Sequence, residues 1–284
     1  MNKSAIIRII IWSIVAVLSL TILLFGIISD TNSFGFISTY YDDEELYSVC
    51  YGRTEITEEI NKLDINWVDG NISVDTHDGD EIIINEYGVT DEDSRLRYLV
   101  RDNKLIIQPR KSERFISDGS IPKKDLVVLI PKSMASLLSL EVDNISGEIK
   151  IAAVEARSVR VESVSAEIYI SGVTANELDL EIVSADIDAE GSFDNIAIES
   201  VSGNTKITSA VCPRELEADA VSGNFVIYIP EDSEFTVELD AVSSRFSSDF
   251  TYTKRGDNYI VGAGGADFTI DGVSGNIDIK KIAK

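Results

Sequence analysis

Seven acidic residues recur through the second half of the chain at nearly even intervals: Asp143, Glu162, Glu181, Glu199, Asp219, Asp240 and Asp271, separated by 19, 19, 18, 20, 21 and 31 positions. Carboxylates gathered in such number suit a hard cation such as calcium, or a basic partner, because charged oxygen donors match both. Each acid precedes by two positions a seven-residue phrase with serine second: "ISGEIKI", "VSAEIYI", "VSADIDA", "VSGNTKI", "VSGNFVI", "VSSRFSS" and "VSGNIDI". The serines Ser146, Ser165, Ser184, Ser202, Ser222, Ser243 and Ser274 form a second set. They do not read as nucleophiles, because no histidine or lysine is placed to activate seven equivalent hydroxyls. His77, the only histidine, lies in the polar stretch "VDTHDGDE". No catalytic residue is assigned, and the acids are the candidate metal or partner ligands.

The elements that carry these acids can be read from the apolar pattern. An alternating pair precedes each phrase: Leu140 and Val142, Val159 and Val161, Leu178 and Leu180, Ile196 and Ile198, Leu216 and Ala218, Val237 and Leu239, Phe268 and Ile270. Inward residues of a strand recur every second position, yet the step from Val142 to Ile145 is three and is repeated in every copy. The alternation slips at one fixed place, as it does where one strand ends at a corner and the next begins. The sequence predicts a corner between the acid and the phrase, with Ile145 and its equivalents pointing inward. The third phrase residue, Gly147, Ala166, Ala185, Gly203, Gly223, Ser244 or Gly275, is then inward and small, and smallness rather than a positive φ is its requirement. Repeats of about 19 residues fit the coils of a β-solenoid, each stacked on the one before it by parallel backbone pairing. The acids then form a column with a spacing of about 4.7–4.9 Å. Neighbouring charges so placed repel by roughly 0.9 kcal/mol in water and about 3.5 kcal/mol at an effective dielectric of 20. Hydrogen bonds at each corner, solvent, cations or a basic surface would each offset that.

Upstream, "KLDINWV", "GNISVDT", "DEIIINEYG", "RLRYLVRD", "NKLIIQP" and "DLVVLIP" alternate between turn-forming clusters, which marks an all-β lead-in. Residues 9–28, "IIIWSIVAVLSLTILLFGII", form an uncharged run long enough to cross a bilayer as a helix. Lys3 and Arg8 precede it and "DDEE" follows at 42–45, so the N-terminus is placed in the cytoplasm and the rest outside. A cleaved signal peptide is the alternative, but the run exceeds the usual apolar length and no A-x-A site follows. The expected organisation is a cytoplasmic tip and signal anchor at 1–29, a juxtamembrane linker at 30–59 and a β domain at 60–284. That domain divides into an irregular lead-in at 60–139 and repeats at 140–284.

The region beyond the anchor carries 23 basic and all 49 acidic side chains of the chain, a balance that excludes nucleic acid as a partner. Cys50 and Cys212 are exported, so a disulfide between them is permitted, with two packed thiols as the alternative. "RGD" at Arg255–Asp257 falls in an insertion, and Asn71 and Asn144 each begin an "NIS" sequon.

The order of anchor, "NKLIIQP", "DLVVLIPKS", serial "SGEIKI", "SAEIYI", "SGNTKI" and then "VIYIPED" resembles the bacterial putative adhesin family of envelope β-solenoids over roughly 60–284. It is similar to membrane-anchored forms found beside envelope-stress regulators. Ala166, Ala185, Ser244 and the insertion at 249–265 depart from the pattern without disturbing the fold. The resemblance implies a right-handed β-solenoid facing outward, with about seven coils of 18–21 residues, and no catalytic residues. The resulting expectation is a non-enzymatic, membrane-anchored binding or scaffolding module of the cell envelope, linked to adhesion or envelope stress. Its partner would be an envelope protein or glycan. The alternatives are a polysaccharide-active enzyme on a β-helix, which needs a groove with converging acids and bases, and a self-associating structural protein.

Overall fold

The computed structural model describes residues 41, 43–112, 123–134 and 138–283. The expected membrane span at 9–28 lies outside the described residues, and among the described residues no helix is long and apolar enough to cross a membrane. One 3-10 turn, Glu44–Leu46, precedes eighteen strands. The lead-in supplies β1 (Ser48–Val49), β2 (Arg53–Ile56), β3 (Lys62–Asn66), β4 (Ile72–His77), β5 (Ile82–Tyr87), β6 (Arg97–Arg101), β7 (Lys104–Gln108) and β8 (Asp125–Pro131). The repeats supply β9 (Ser139–Ala152), β10 (Glu155–Ser184), β11 (Ile187–Ser202), β12 (Asn204–Ser209), β13 (Glu215–Ser222), β14 (Asn224–Ile229) and β15 (Phe235–Ser248). A hairpin of β16 (Tyr252–Arg255) and β17 (Asn258–Val261) separates these from β18 (Ala266–Lys281). The fold is an all-β solenoid, its turns paired in parallel and its apolar side chains joined in one continuous core.

Within each turn the backbone alternates as strands must, but the corner lies one residue later than the sequence predicts. Leu140, Val142 and Asn144 all point inward, Ile145 and Ser146 are half-exposed, and inward positions resume at Ile149 and Ile151. The ladder agrees, because Ser163 pairs with Asn144 and Ser165 with Ser146, while Val164 and Ile145 are passed over. The same omission recurs at Val183 and Val201, at Val221 and Val273, and at Val242. The first phrase residue is therefore the corner itself. Polarity hid the inward position, since the side chains buried there include Asn144, Ser163 and Ser200.

The third phrase residue takes two backbone forms, which corrects the expectation of smallness alone. Gly147, Gly203, Gly223 and Gly275 have φ of 122°, 126°, 149° and 134°, whereas the copies with alanine or serine do not share this conformation. A Cβ at Gly203 would lie 1.8 Å from the carbonyl oxygen of Ala185 in the turn beneath. Glycine is needed there both for its φ and for the close approach of the next backbone.

The turns are not stacked in chain order. β9 pairs with β3 and β4 in parallel, so residues 62–77 form a turn beneath the first repeat, with Leu63 beside Leu140 and Ile72 beside Ile149. Beneath that turn lie β7 and β8, again parallel. The lead-in is thus part of the solenoid, and its first turn in sequence is its second in space. The far end mirrors this exchange. β18 pairs with β13 and β14 on one side and with β15 on the other, so the last repeat is inserted between the fifth and sixth. Stacking aromatics fix the exchange: the rings of Phe235 and Phe268 lie 4.9 Å apart and nearly parallel.

Antiparallel strands cover the near end. β6 lies on β7 and β1 on β6, while β5 lies on β8 and β2 on β5. The linker expected over 30–59 therefore stops short, because Cys50 and Ile56 are buried in the core. Strands of two and four residues are too short to show a period. Beneath this cap Lys124 is 3% exposed, with its Nζ 2.6 Å from Glu86 Oε1 and 2.8 Å from the Ser94 carbonyl, and 4.7 Å from the centre of the Trp67 ring. Burial pulls the Lys124 pKa down to about 8 against the opposing pull of Glu86.

Candidate functional site: the acidic face

The run of strand before each corner presents every second side chain outward, and the ladder keeps these side chains in register from turn to turn. Asp143 pairs with Glu162, Glu181 with Glu199, Glu199 with Asp219, Asp219 with Asp271, and Asp271 with Asp240. All seven predicted acids thus stand in one column, with Asp271 ahead of Asp240 because of the exchanged turns. A second acidic row runs beside the first, through Asp64, Glu141, Asp179, Glu217 and Glu238. Sequence reasoning missed this row because Arg160, Ala197 and Thr269 interrupt it.

In the half of the face nearest the cap, basic side chains pair with the acids other than Asp143, one of whose buried oxygens has no hydrogen-bond partner. Arg160 bonds Glu162 at 2.8 Å and Asp179 at 2.6 Å, and also pairs with Glu181. Lys62 meets Glu141 at 2.5 Å, and Lys104 pairs with Asp64. In the other half, among the described residues, no lysine or arginine is within ion-pair distance of Glu199, Glu217, Asp219, Glu238, Asp240 or Asp271. Burial, reinforced by Asp271, Glu217 and Glu199, pushes the Asp219 carboxyl up to about 7. Burial also raises Glu199 and Asp271, each then pushed further by neighbouring carboxylates. Near the cap, burial and the charges of Glu162, Asp64 and Glu141 push Asp143 up to about 8 despite Arg160.

Glu141, Asp143 and Glu162 can bring one carboxylate oxygen each within 4.8 Å of one another, a geometry in which oxygen ligands could share a hard cation. The phrase serines do not bond the acids of the column, although Ser146 Oγ lies 3.2 Å from Asp69 Oδ1. Ser146, Ser202, Ser222 and Ser274 donate instead to the corner carbonyls of Val68, Val183, Val201 and Val221 in the neighbouring turn, at 3.3–3.4 Å. The Val68 carbonyl also accepts the Ser146 N–H at 3.0 Å, so there the hydroxyl adds a side-chain bond to the backbone bond at the corner. The fourth phrase residue adds an amide ladder: Asn204 donates to Asp186 at 3.0 Å, Asn224 to Asn204 at 2.8 Å and Asn276 to Asn224 at 2.9 Å. This polar ladder was legible in "SGN", yet no search for carboxylates would find it.

The remaining candidates have local roles. His77 closes its own turn, with Nδ1 accepting from the Gly79 N–H and Nε2 2.7 Å from the Glu81 carbonyl oxygen. Cys50 and Cys212 are both free thiols, the first in the cap and the second in the turn between β12 and β13, and burial raises the pKa of each. Asn144 is 4% exposed and donates to the Ser146 carbonyl, so that sequon is closed to modification. Gly256 and Asp257 make the tip of the β16–β17 hairpin. A shallow cavity of about 370 Å³ beside the amide ladder is lined by Tyr169, Asp186, Asp188, Asn204, Lys206 and Asn224, and its Lys206 is paired with Asp188 at 2.9 Å.

These repeats, their stacked corners and the β lead-in agree with a known family, whose model, Toastrack DUF4097, matches residues 60–280. The chain belongs to the Toastrack DUF4097 family. No curated protein matches it. Similar solved structures include a "putative cell adhesion protein" from Clostridium sporogenes, with 13% identity, 83% of this chain and 98% of that one covered, and a TM-score of 0.39. A "putative adhesin" from Bacteroides fragilis has 13% identity, covers 81% and 96%, and scores 0.36. A "putative lipid binding protein" from Parabacteroides distasonis has 12% identity, covers 81% and 96%, and scores 0.40. The Toastrack match spans the lead-in as well as the repeats, in keeping with a solenoid that includes both.

Proposed function

We propose that this Toastrack protein is a non-enzymatic binding module of the cell envelope, held in the membrane by residues 9–28 with its solenoid outside, and that its acidic face receives a basic partner. The observation that carries this reading is the uncompensated half of the face, from Glu199 to Asp240. Carboxylates fixed in a backbone ladder cannot move apart, so a polycationic surface relieves a repulsion that solvent only screens. Apolar content at 9–28 and the preceding Lys3 and Arg8 support the membrane placement.

The test is binding of a lysine- and arginine-rich peptide to the full chain in nanodiscs of zwitterionic lipid. Binding is expected to weaken steeply with salt, and to fall at least about tenfold when Glu199→Gln, Glu217→Gln and Asp219→Asn are combined, a change of about 1.4 kcal/mol or more. Binding that is absent, or that ignores these substitutions, overturns the reading. Calcium titration of the same sample separates the alternative: calcium that raises Tm and is lost with Glu141→Gln would make the three-carboxylate group near the cap the working site.

A further inference from the structure

Beyond the corner, the outward face of the phrase strands carries a different chemistry from the acidic face before it. Tyr169, Asp188 and Lys206 stand side by side in successive turns, and Asp186, Asn204 and Asn224 form a row two residues upstream on neighbouring strands. Members of both rows line the cavity of about 370 Å³. The Tyr169 ring is 40% exposed and is held upright by its hydroxyl, which donates to Glu167 Oε2 at 3.0 Å. Lys150, its ladder neighbour in the turn beneath, has its Nζ 5.8 Å from the ring centre. Asp188, the neighbour on the other side, lines the cavity, so the second face of the ring is the cavity wall. Lys206 Nζ holds both oxygens of Asp188, at 3.0 and 2.9 Å, and is thereby committed. The amides are oriented too. Asn204 gives one side-chain N–H to Asp186 and accepts from Asn224, while Asn224 accepts from both the side chain and the backbone of Asn276. An amide has two N–H donors and two lone pairs on its oxygen, so exposed Asn204 keeps one of each in a fixed direction.

We propose that this cavity binds a neutral glycan whose sugars carry acetamido groups, with one pyranose ring stacked on Tyr169 and its acetamido group bonded to Asn204. A pyranose has an apolar face of C–H groups and a rim of polar groups, and this wall and this rim offer each its counterpart. An acetamido group presents one N–H and one carbonyl oxygen, which match the lone pair and the N–H that Asn204 retains. Charge narrows the ligand further. The lining has two carboxylates, Asp186 and Asp188, against one ammonium that is already paired, so an acidic sugar is repelled and finds no free cation there. A peptide strand has no place to add, because β10, β11 and β12 are each paired on both sides along this stretch. Side chains anchored in a backbone ladder lose little freedom when the sugar arrives. The site lies across the corner from the acidic face and does not depend on the basic partner proposed for it.

The test titrates the full chain, in nanodiscs of zwitterionic lipid, with the β-1,4-linked tetramer of N-acetylglucosamine and reads the heat of binding. Tyr169→Ala should weaken binding at least about tenfold with Tm unchanged, whereas Tyr169→Phe, which keeps the ring, should stay within a few-fold. The glucose tetramer, with a hydroxyl in place of each acetamido group, and the galacturonic acid tetramer should each bind at least about tenfold more weakly. The chain combining Glu199→Gln, Glu217→Gln and Asp219→Asn should bind the sugar as the unaltered chain does, so failure at one site is distinguishable from failure at the other. No heat at the highest sugar concentration reached, binding that survives Tyr169→Ala, or equal binding of either control tetramer would each overturn the proposal.

Discussion

The two ends of the solenoid solve one problem differently. At the near end four antiparallel strands lie over β7 and β8, and a buried Lys124–Glu86 pair with Trp67 holds the cover in place. At the far end one hairpin covers four residues of β15, and three aromatics, Phe246, Tyr252 and Tyr259, cluster beside it with ring centres 4.4–5.9 Å apart. A stack of parallel turns must hide its last row of backbone groups or leave it available. This molecule does the first where the chain enters and leaves part of the row uncovered where it turns back.

The largest expected effect is at the sealed end. Lys124→Met should cost about 3–5 kcal/mol in denaturant unfolding, because Glu86 stays buried without its partner. Adding Glu86→Leu should recover much of that loss. A cost below about 1 kcal/mol would remove the distinction between the ends. Phe246→Ala at the open end should cost less, about 1–2 kcal/mol, since the ring is only half-buried and full burial would give about 3–5 kcal/mol. If the order of these two variants is reversed, the far end is the better sealed.

The smallest effect concerns one buried carboxylate in each half of the acidic face. Asp219 has a folded pKa near 7 and Asp143 near 8, both above the unfolded carboxylate value, so the folded state binds more protons across the interval between. The associated stability is fully present below about pH 4 and is lost as pH rises through 7 and 8. Tm should therefore climb as pH is lowered from 8 towards 5, until other groups titrate. Asp219→Asn should flatten that slope, and an unchanged slope would show that the uncompensated half does not store this repulsion.

Much of this architecture could be read from the residues. Leu140, Val142, Ile149 and Ile151 announced the strands by parity alone, and the acids fell into one column because the same repeat carries them. The corner was misplaced by one residue because Asn144 and Ser163 are polar yet buried, and polarity normally marks an outward position. Residues 62–77 escaped notice as a turn because "WVDGN" replaces the phrase serine, although Gly70 has the same positive φ as Gly147. The exchange of turns has no local signature. It depends on which faces meet after the chain has reversed, and only the length of the step from Asp240 to Asp271 hinted at it. Arg160 was visible as a residue but not as a counter-charge, because its partners Asp179 and Glu181 lie 19 and 21 positions away.

The inserted last repeat has a mechanical consequence. A pull applied beyond Lys281 acts on a strand gripped from both sides, by β14 and by β15, and loads those ladders in shear instead of peeling them one bond at a time.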